Sequence, residues 1–163
     1  MHPKGLQLST PTNSTIVLTR AFNAPRRLVW EATFTPDKMR RWMLPPPGWT
    51  MTLCECDARV GGALNMAWKS DEADPAMTLR GLFTEVVEQE RAVHTETMVL
   101  GSGETIGKLV ETHEFAENDN VTTMRVTQAY DAKDARDGAI ASGMDEGMEA
   151  CYQRLEALIL QPA

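Results

Sequence analysis

The sequence is poor in cysteine, tyrosine and histidine: of 163 residues, three are Cys, two Tyr and three His. Three cysteines (Cys54, Cys56 and Cys151) are an odd number and too few for a disulfide framework, which fits a reducing compartment and sets cytoplasmic localisation as the expectation. Cys54 and Cys56 form a C-x-C pair, but no further Cys or His stands at a recognised ligand spacing, so no metal site is expected from the cysteines. Basic residues are also in deficit, 16 against 23 acidic, giving a formal charge of −7. Nucleic-acid affinity comes largely from Lys and Arg neutralising phosphates, so a nucleic-acid partner is not expected. No run approaches the ~20 apolar residues of a membrane span, and the start, Met1-His2-Pro3-Lys4-Gly5, lacks the apolar stretch of a secretion signal. A G-x-S-x-G elbow, a phosphate loop and an H-E-x-x-H helix are all missing, so the sequence assigns no catalytic residue and no cofactor.

What remains is ordinary globular material, 42% apolar and 24% charged, at a length that suits one domain with a real core. Residues 1–13 read as a flexible polar arm and residues 14–161 as the domain. Residues 14–22 alternate as a strand, with Ile16, Leu18, Arg20 and Phe22 on one face. Pro25 opens a short helix over 26–34, and Thr35-Pro36-Asp37 starts a second over about 36–43. Leu44-Pro45-Pro46-Pro47-Gly48-Trp49 is a stiff loop, because three prolines suit neither helix nor central strand. From residue 50 the apolar period changes to two. Strands are predicted over 50–57, 63–69, 77–88, 91–100, 104–117 and 121–130, with turns at Gly61-Gly62, Gly101-Ser102-Gly103 and Asn118-Asp119-Asn120. Gly81 marks a bulge or a close backbone approach. Short connections make these strands antiparallel neighbours. Residues 131–160 carry one apolar stripe through Ile140, Met144, Met148, Cys151 and Leu155 and read as a single long helix. Gly138, Gly143 and Gly147 would leave bare surface in its first half, where another element or a bound molecule could come close.

The resulting class is α+β with a helix grip: about seven antiparallel strands in the order β-αα-β6-α, curved around a long C-terminal helix. Several segments carry a resemblance at this level. They are Phe22-Asn23-Ala24-Pro25-Arg26-Arg27-Leu28-Val29-Trp30-Glu31-Ala32, Thr35-Pro36 with Arg41-Trp42, Asp57-Ala58-Arg59-Val60-Gly61-Gly62, Gly81-Leu82-Phe83-Thr84-Glu85-Val86-Val87, Ser142-Gly143-Met144-Asp145-Glu146-Gly147-Met148 and Arg154-Leu155-Glu156-Ala157-Leu158. In order and spacing the chain resembles the START-like (SRPBCC, birch-pollen-allergen-like) domains. Within them it resembles the branch named after the C-terminal domain of the activator of the ninety-kilodalton heat-shock chaperone's ATPase. The resemblance implies the same fold and a hydrophobic ligand site between the long helix and the sheet. The chaperone activator also carries a separate docking domain, for which 163 residues leave no space, so a chaperone partner is not the leading expectation.

Binding of a small hydrophobic molecule is therefore the leading reading. Trp42, Trp49, Met66, Trp68, Phe83, Met98, His113, Met124, Gly143, Met144 and Gly147 are the expected lining. Two alternatives stand beside it: an enzyme on an apolar cyclic or acyl substrate, and a chaperone-interaction module. Glu111 and His113 share a strand face. If that face is inward they form a buried polar pair able to move a proton; if outward, a weak solvated pair. Asp57 with Arg59 reads as a local turn pair, and the Arg20–Arg27 and Arg40-Arg41 regions as solvated basic spots. Homodimerisation stays open at this level.

Overall fold

Strand parity decides this structure, a computed structural model that describes residues 5–161. The elements are β1 (Gln7–Ser9), β2 (Thr15–Phe22), α1 (Arg26–Phe34), α2 (Pro36–Trp42), β3 (Trp49–Cys56), β4 (Ala63–Ser70), β5 (Met77–Val87), β6 (Arg91–Leu100), β7 (Thr105–Asn118), β8 (Val121–Tyr130), α3 (Lys133–Ala141) and α4 (Met144–Ile159). The eight strands form one antiparallel sheet in the order β1-β2-β8-β7-β6-β5-β4-β3. The helix-grip α+β class stands, with one strand more than predicted. The extra strand comes from the N-terminal arm, where Gln7–Ser9 pairs along the outer edge of β2.

Alternation places Ile16, Leu18, Arg20 and Phe22 of β2 and Thr122, Met124, Val126, Gln128 and Tyr130 of β8 in the interior. The β7–β8 turn, Asp119-Asn120, holds both residues at positive φ, +51° and +62°, as a two-residue type I′ hairpin requires. Gly81 is the predicted close approach: a side chain there would strike the backbone carbonyl of Thr95 on β6. The register shift in β5 falls later, between Phe83 and Glu85.

Helices α1 and α2 are separated by Thr35 alone, because Pro36 takes the first position of α2. Val29, Trp30 and Phe34 of α1 and Met39 and Trp42 of α2 are buried, and the Trp42 indole donates to the Ala32 carbonyl at 2.7 Å. No helix among the described residues is long and apolar enough to cross a membrane.

The single C-terminal helix predicted over 131–160 is two helices. Gly143 sits between α3 and α4 at φ +81°, ψ 30°, with the Ser142 and Gly143 amides donating to Gly138 and Ile140 carbonyls. The apolar stripe continues across the break, which is why periodicity alone does not reveal it. Gly143 therefore carries no helix-interior penalty; it supplies a left-handed residue that other side chains adopt poorly. Gly138, Gly143 and Gly147 are exposed and, among the described residues, nothing approaches where their Cβ atoms would lie. No other element of the described chain makes the close approach expected of them. Two substitutions should separate these roles by sign in urea unfolding: Gly143→Ala costs about 1–2 kcal/mol for the left-handed backbone, whereas Gly147→Ala, inside α4, gains about 0.5–1 kcal/mol.

Candidate functional site

A row of polar side chains crosses the inner face of the sheet, where apolar side chains are the rule. Cross-strand register aligns Phe83 of β5 with His94 of β6, His94 with Glu111 of β7, Glu111 with Gln128 of β8, and Gln128 with Ile16 of β2. Parity adds Glu96 two residues from His94, His113 two residues from Glu111, and Tyr130 two residues from Gln128. His94, Glu96, His113, Gln128 and Tyr130 are buried, and Glu111 is 13% exposed. The open question about the Glu111–His113 face is thus answered: it points inward.

The row is connected. Gln128 Nε2 donates to Glu111 Oε2 at 2.8 Å, and the Tyr130 hydroxyl donates to Gln128 Oε1 at 3.2 Å. The other Glu111 oxygen, Oε1, lies 3.7 Å from His94 Nε2 and 3.5 Å from His113 Nε2. His94 Nδ1 stands 3.4 Å from the Thr95 carbonyl and 3.9 Å from Glu96 Oε1. The two imidazoles stack at 5.7 Å, flanked by Phe83 on His94 and Phe34 on His113, each at 5.2 Å. His113 Nδ1 is buried and, among the described residues, has no hydrogen-bond partner.

Burial sets the charge states. It pulls His113 down to about 4, against the opposing attraction of Glu111, so this imidazole is neutral near neutral pH. Burial, reinforced by the Glu111 carboxylate, holds Glu96 well above the usual carboxylate range. The Tyr130 and Tyr152 phenols are pushed up by burial and by Glu111. No Lys or Arg among the described residues forms an ion pair with Glu96 or Glu111. A surface groove of about 400 Å³, lined by Thr95, Glu96, Leu109 and Tyr130 among others, reaches this end of the row.

On the facing layer Tyr152 of α4 is buried, edge-on to Phe22 at 5.8 Å and 6.1 Å from Trp42. The helix is clamped to the sheet by Arg20. This arginine is only 6% exposed and pairs with Glu149 and Glu156 of α4 at 3.1 and 3.3 Å. The expectation that Arg20 is a solvated basic spot is corrected: its strand parity carries it inward, and two carboxylates on α4 pair with the charge. Asp57 and Arg59 form the expected exposed turn pair at 2.7 Å.

Of the expected lining, Phe83 and His113 belong to the row directly. Met66, Trp68 and Met124 are buried on the same sheet, with Met66 paired to Leu79 and Leu79 to Met98. Trp42 is buried on α2, while Trp49, Met98 and Met144 are half-buried at its margins. Gly143 and Gly147 lie on the exposed side. His94, Glu96, Gln128, Tyr130 and Tyr152 were not among the candidates. The signal for the β6 pair was present: both share the parity of Met98, already a candidate.

Solved structures with the same architecture support this reading of the fold. A Rhodobacter sphaeroides protein aligns with TM-score 0.84 at 24% identity, covering 94% of this chain and 97% of that one. Protein Ms6760 from Mycobacterium smegmatis aligns with TM-score 0.79 at 18% identity, covering 96% and 97%. Protein NE0264 from Nitrosomonas europaea aligns with TM-score 0.76 at 21% identity, covering 92% and 96%. At these identities the likeness shows the fold. No curated protein matches the sequence. The family described as "Activator of Hsp90 ATPase homolog 1-like protein" matches residues 23–159, and the chain belongs to it.

Proposed function

We propose that this domain binds a small, mostly apolar molecule that carries one polar end, held between α4 and the inner face of the sheet. The observation that carries this reading is the polar row. Six polar side chains from three adjacent strands, Glu96, His94, Glu111, His113, Gln128 and Tyr130, stand inside a core that is mostly aliphatic and aromatic. Burying polar groups costs free energy that plain packing would avoid. Convergent polar groups with shifted pKa values on an apolar wall are the usual composition of a small-molecule site. The apolar part of the ligand would meet Met66, Trp68, Phe83 and Met124, and its polar end the row.

Titration with medium-chain fatty acids, their alcohols and aromatic carboxylic acids, followed by tryptophan fluorescence, tests this. Binding should be saturable and weaken about 10-fold or more in Trp68→Ala, since a buried aromatic contributes well over 1 kcal/mol. A Met144→Trp variant should report the same event from α4. If neither variant changes affinity or signal for any of these compounds, the reading fails.

A second reading, chemistry on that ligand, is favoured by one observation. Burial raises the pKa of the Glu96 carboxyl beside His94 and holds His113 neutral beside Glu111, so a weakened acid and a base share one site. Mass analysis of the bound compounds after incubation separates turnover from carriage.

A further inference from the structure

We propose that His94, Glu111 and His113 bind one divalent transition-metal ion of the zinc class on the inner face of the sheet. The three residues come from β6 and β7, and their donor atoms all lie within 4.8 Å of one another. The spacing is what distinguishes this from a hydrogen-bonded cluster. An N–H···O bond to a carboxylate would bring the atoms to about 2.7–2.9 Å. Glu111 Oε1 instead stands 3.5 Å from one imidazole Nε2 and 3.7 Å from the other. Two ligands of a tetrahedral ion, each about 2.0–2.1 Å from the metal, are separated by about 3.3–3.4 Å. Both oxygen–nitrogen separations are thus too wide for a hydrogen bond and within a few tenths of an ångström of the spacing between two ligands of one ion.

The surroundings prepare the same atoms. Gln128 holds Oε2 of Glu111 at 2.8 Å and Tyr130 holds Gln128, which leaves Oε1 to face the imidazoles. The Thr95 carbonyl, 3.4 Å from His94 Nδ1, favours the proton on Nδ1 and the lone pair on Nε2. Such partners fix ligand orientation and tautomer. Strand register fixes the rest: His94 pairs with Glu111 directly, and His113 faces Ala92 one row away. Charge points the same way. Glu111 is an interior carboxylate, and its ion-pair partners among the described residues are the two histidines, His94 and His113. Two imidazoles and one carboxylate suit zinc, cobalt, nickel or ferrous iron and are too nitrogen-rich for magnesium or calcium. The inference is independent of the organic ligand proposed above, since it needs only these side chains.

The test uses the full chain stripped with EDTA and dialysed. Zinc chloride and cobalt chloride are titrated by calorimetry and visible absorption, and imidazole nitrogen resonances are followed by NMR. The expected result is one ion per chain, with the signals of two of the three histidines moving to metal-bound positions. Cobalt should give the intense visible bands of a low-coordinate nitrogen–oxygen site. Glu111→Gln and His94→Gln should abolish binding. Gln128→Leu, which removes only a positioning residue, should weaken it about 10- to 100-fold. Failure to bind either ion, or binding that leaves both imidazoles unmoved, overturns the proposal. So does a sulfur-to-cobalt charge-transfer band, which would assign the ion to the cysteines. The NMR readout on the unsubstituted protein decides the matter if a variant does not fold.

Discussion

Arg20→Leu should destabilise the protein by about 3 kcal/mol, near the lower end of what breaking a buried ion pair costs. The guanidinium is forked on Glu149, with Nε to Oε2 at 3.1 Å and Nη2 to Oε1 at 3.2 Å. Nη1 donates to Glu156 at 3.3 Å and to the Ala21 carbonyl at 3.0 Å, and the group lies 4.8 Å over the Phe22 ring. Glu149 and Glu156 keep 23% and 30% exposure, so water compensates part of their loss, which is why the estimate stays low in the range. Arg20→Lys keeps the charge but loses the fork, and should recover less than half. A double-mutant cycle with Glu149→Gln, read by urea unfolding, isolates the pair. A coupling energy near zero would mean that α4 is held to the sheet by apolar contacts such as Leu155 and Tyr152 alone.

Acidification should unfold the chelator-treated protein earlier than carboxylate titration accounts for. His113 has a folded-state pKa of about 4 against an ordinary value of 6.5. Between those limits the unfolded chain takes up a proton that the folded chain refuses. The stability tied to this neutral imidazole is complete above pH 6.5 and is lost as pH falls toward 4, by up to about 3 kcal/mol. Glu96 acts in the opposite direction. Its folded pKa is raised, so its contribution is complete below the unfolded value of 4.5 and declines as pH rises through the folded value. The groups facing His113 are Glu111 and His94, and those acting on Glu96 are Glu111 and His94, so the test must vary one residue at a time. His113→Gln should flatten the acid limb of the stability curve, and Glu96→Gln should raise the alkaline limb. Parallel curves for His113→Gln and the parent would show that this imidazole is not held neutral by the fold.

Much of this architecture is legible in the residues because the interior is coded by period two. The parity of 91–100 and 104–117 is enough to place Met98 with His94 and Glu96, and Glu111 with His113. What parity does not give is which rows meet. That depends on the β6–β7 register, which shifts between Met98 and Val99, and no local signal announces it. Arg20 reads as surface for a related reason: its two partners lie 129 and 136 residues away, and a charged residue on an inward face is explained only by them. The C-terminal break is hidden because Gly143 interrupts the backbone but not the apolar stripe. The edge strand Gln7–Ser9 is too short, and too exposed, for alternation to register.

The Asp119-Asn120 turn has a bearing on how this lineage can tolerate insertions and deletions. It sets which β8 residue meets which β7 residue, and therefore sets Gln128 against Glu111. A one-residue change there that propagated into β8 would turn Gln128 and Tyr130 outward and bring Ala129 and Thr127 in, dismantling the row in a single event. The 71–75 loop, between β4 and β5, lies outside the strands that carry the row. Length polymorphism among descendants of this chain should accumulate in that loop and be purged at residues 119–120.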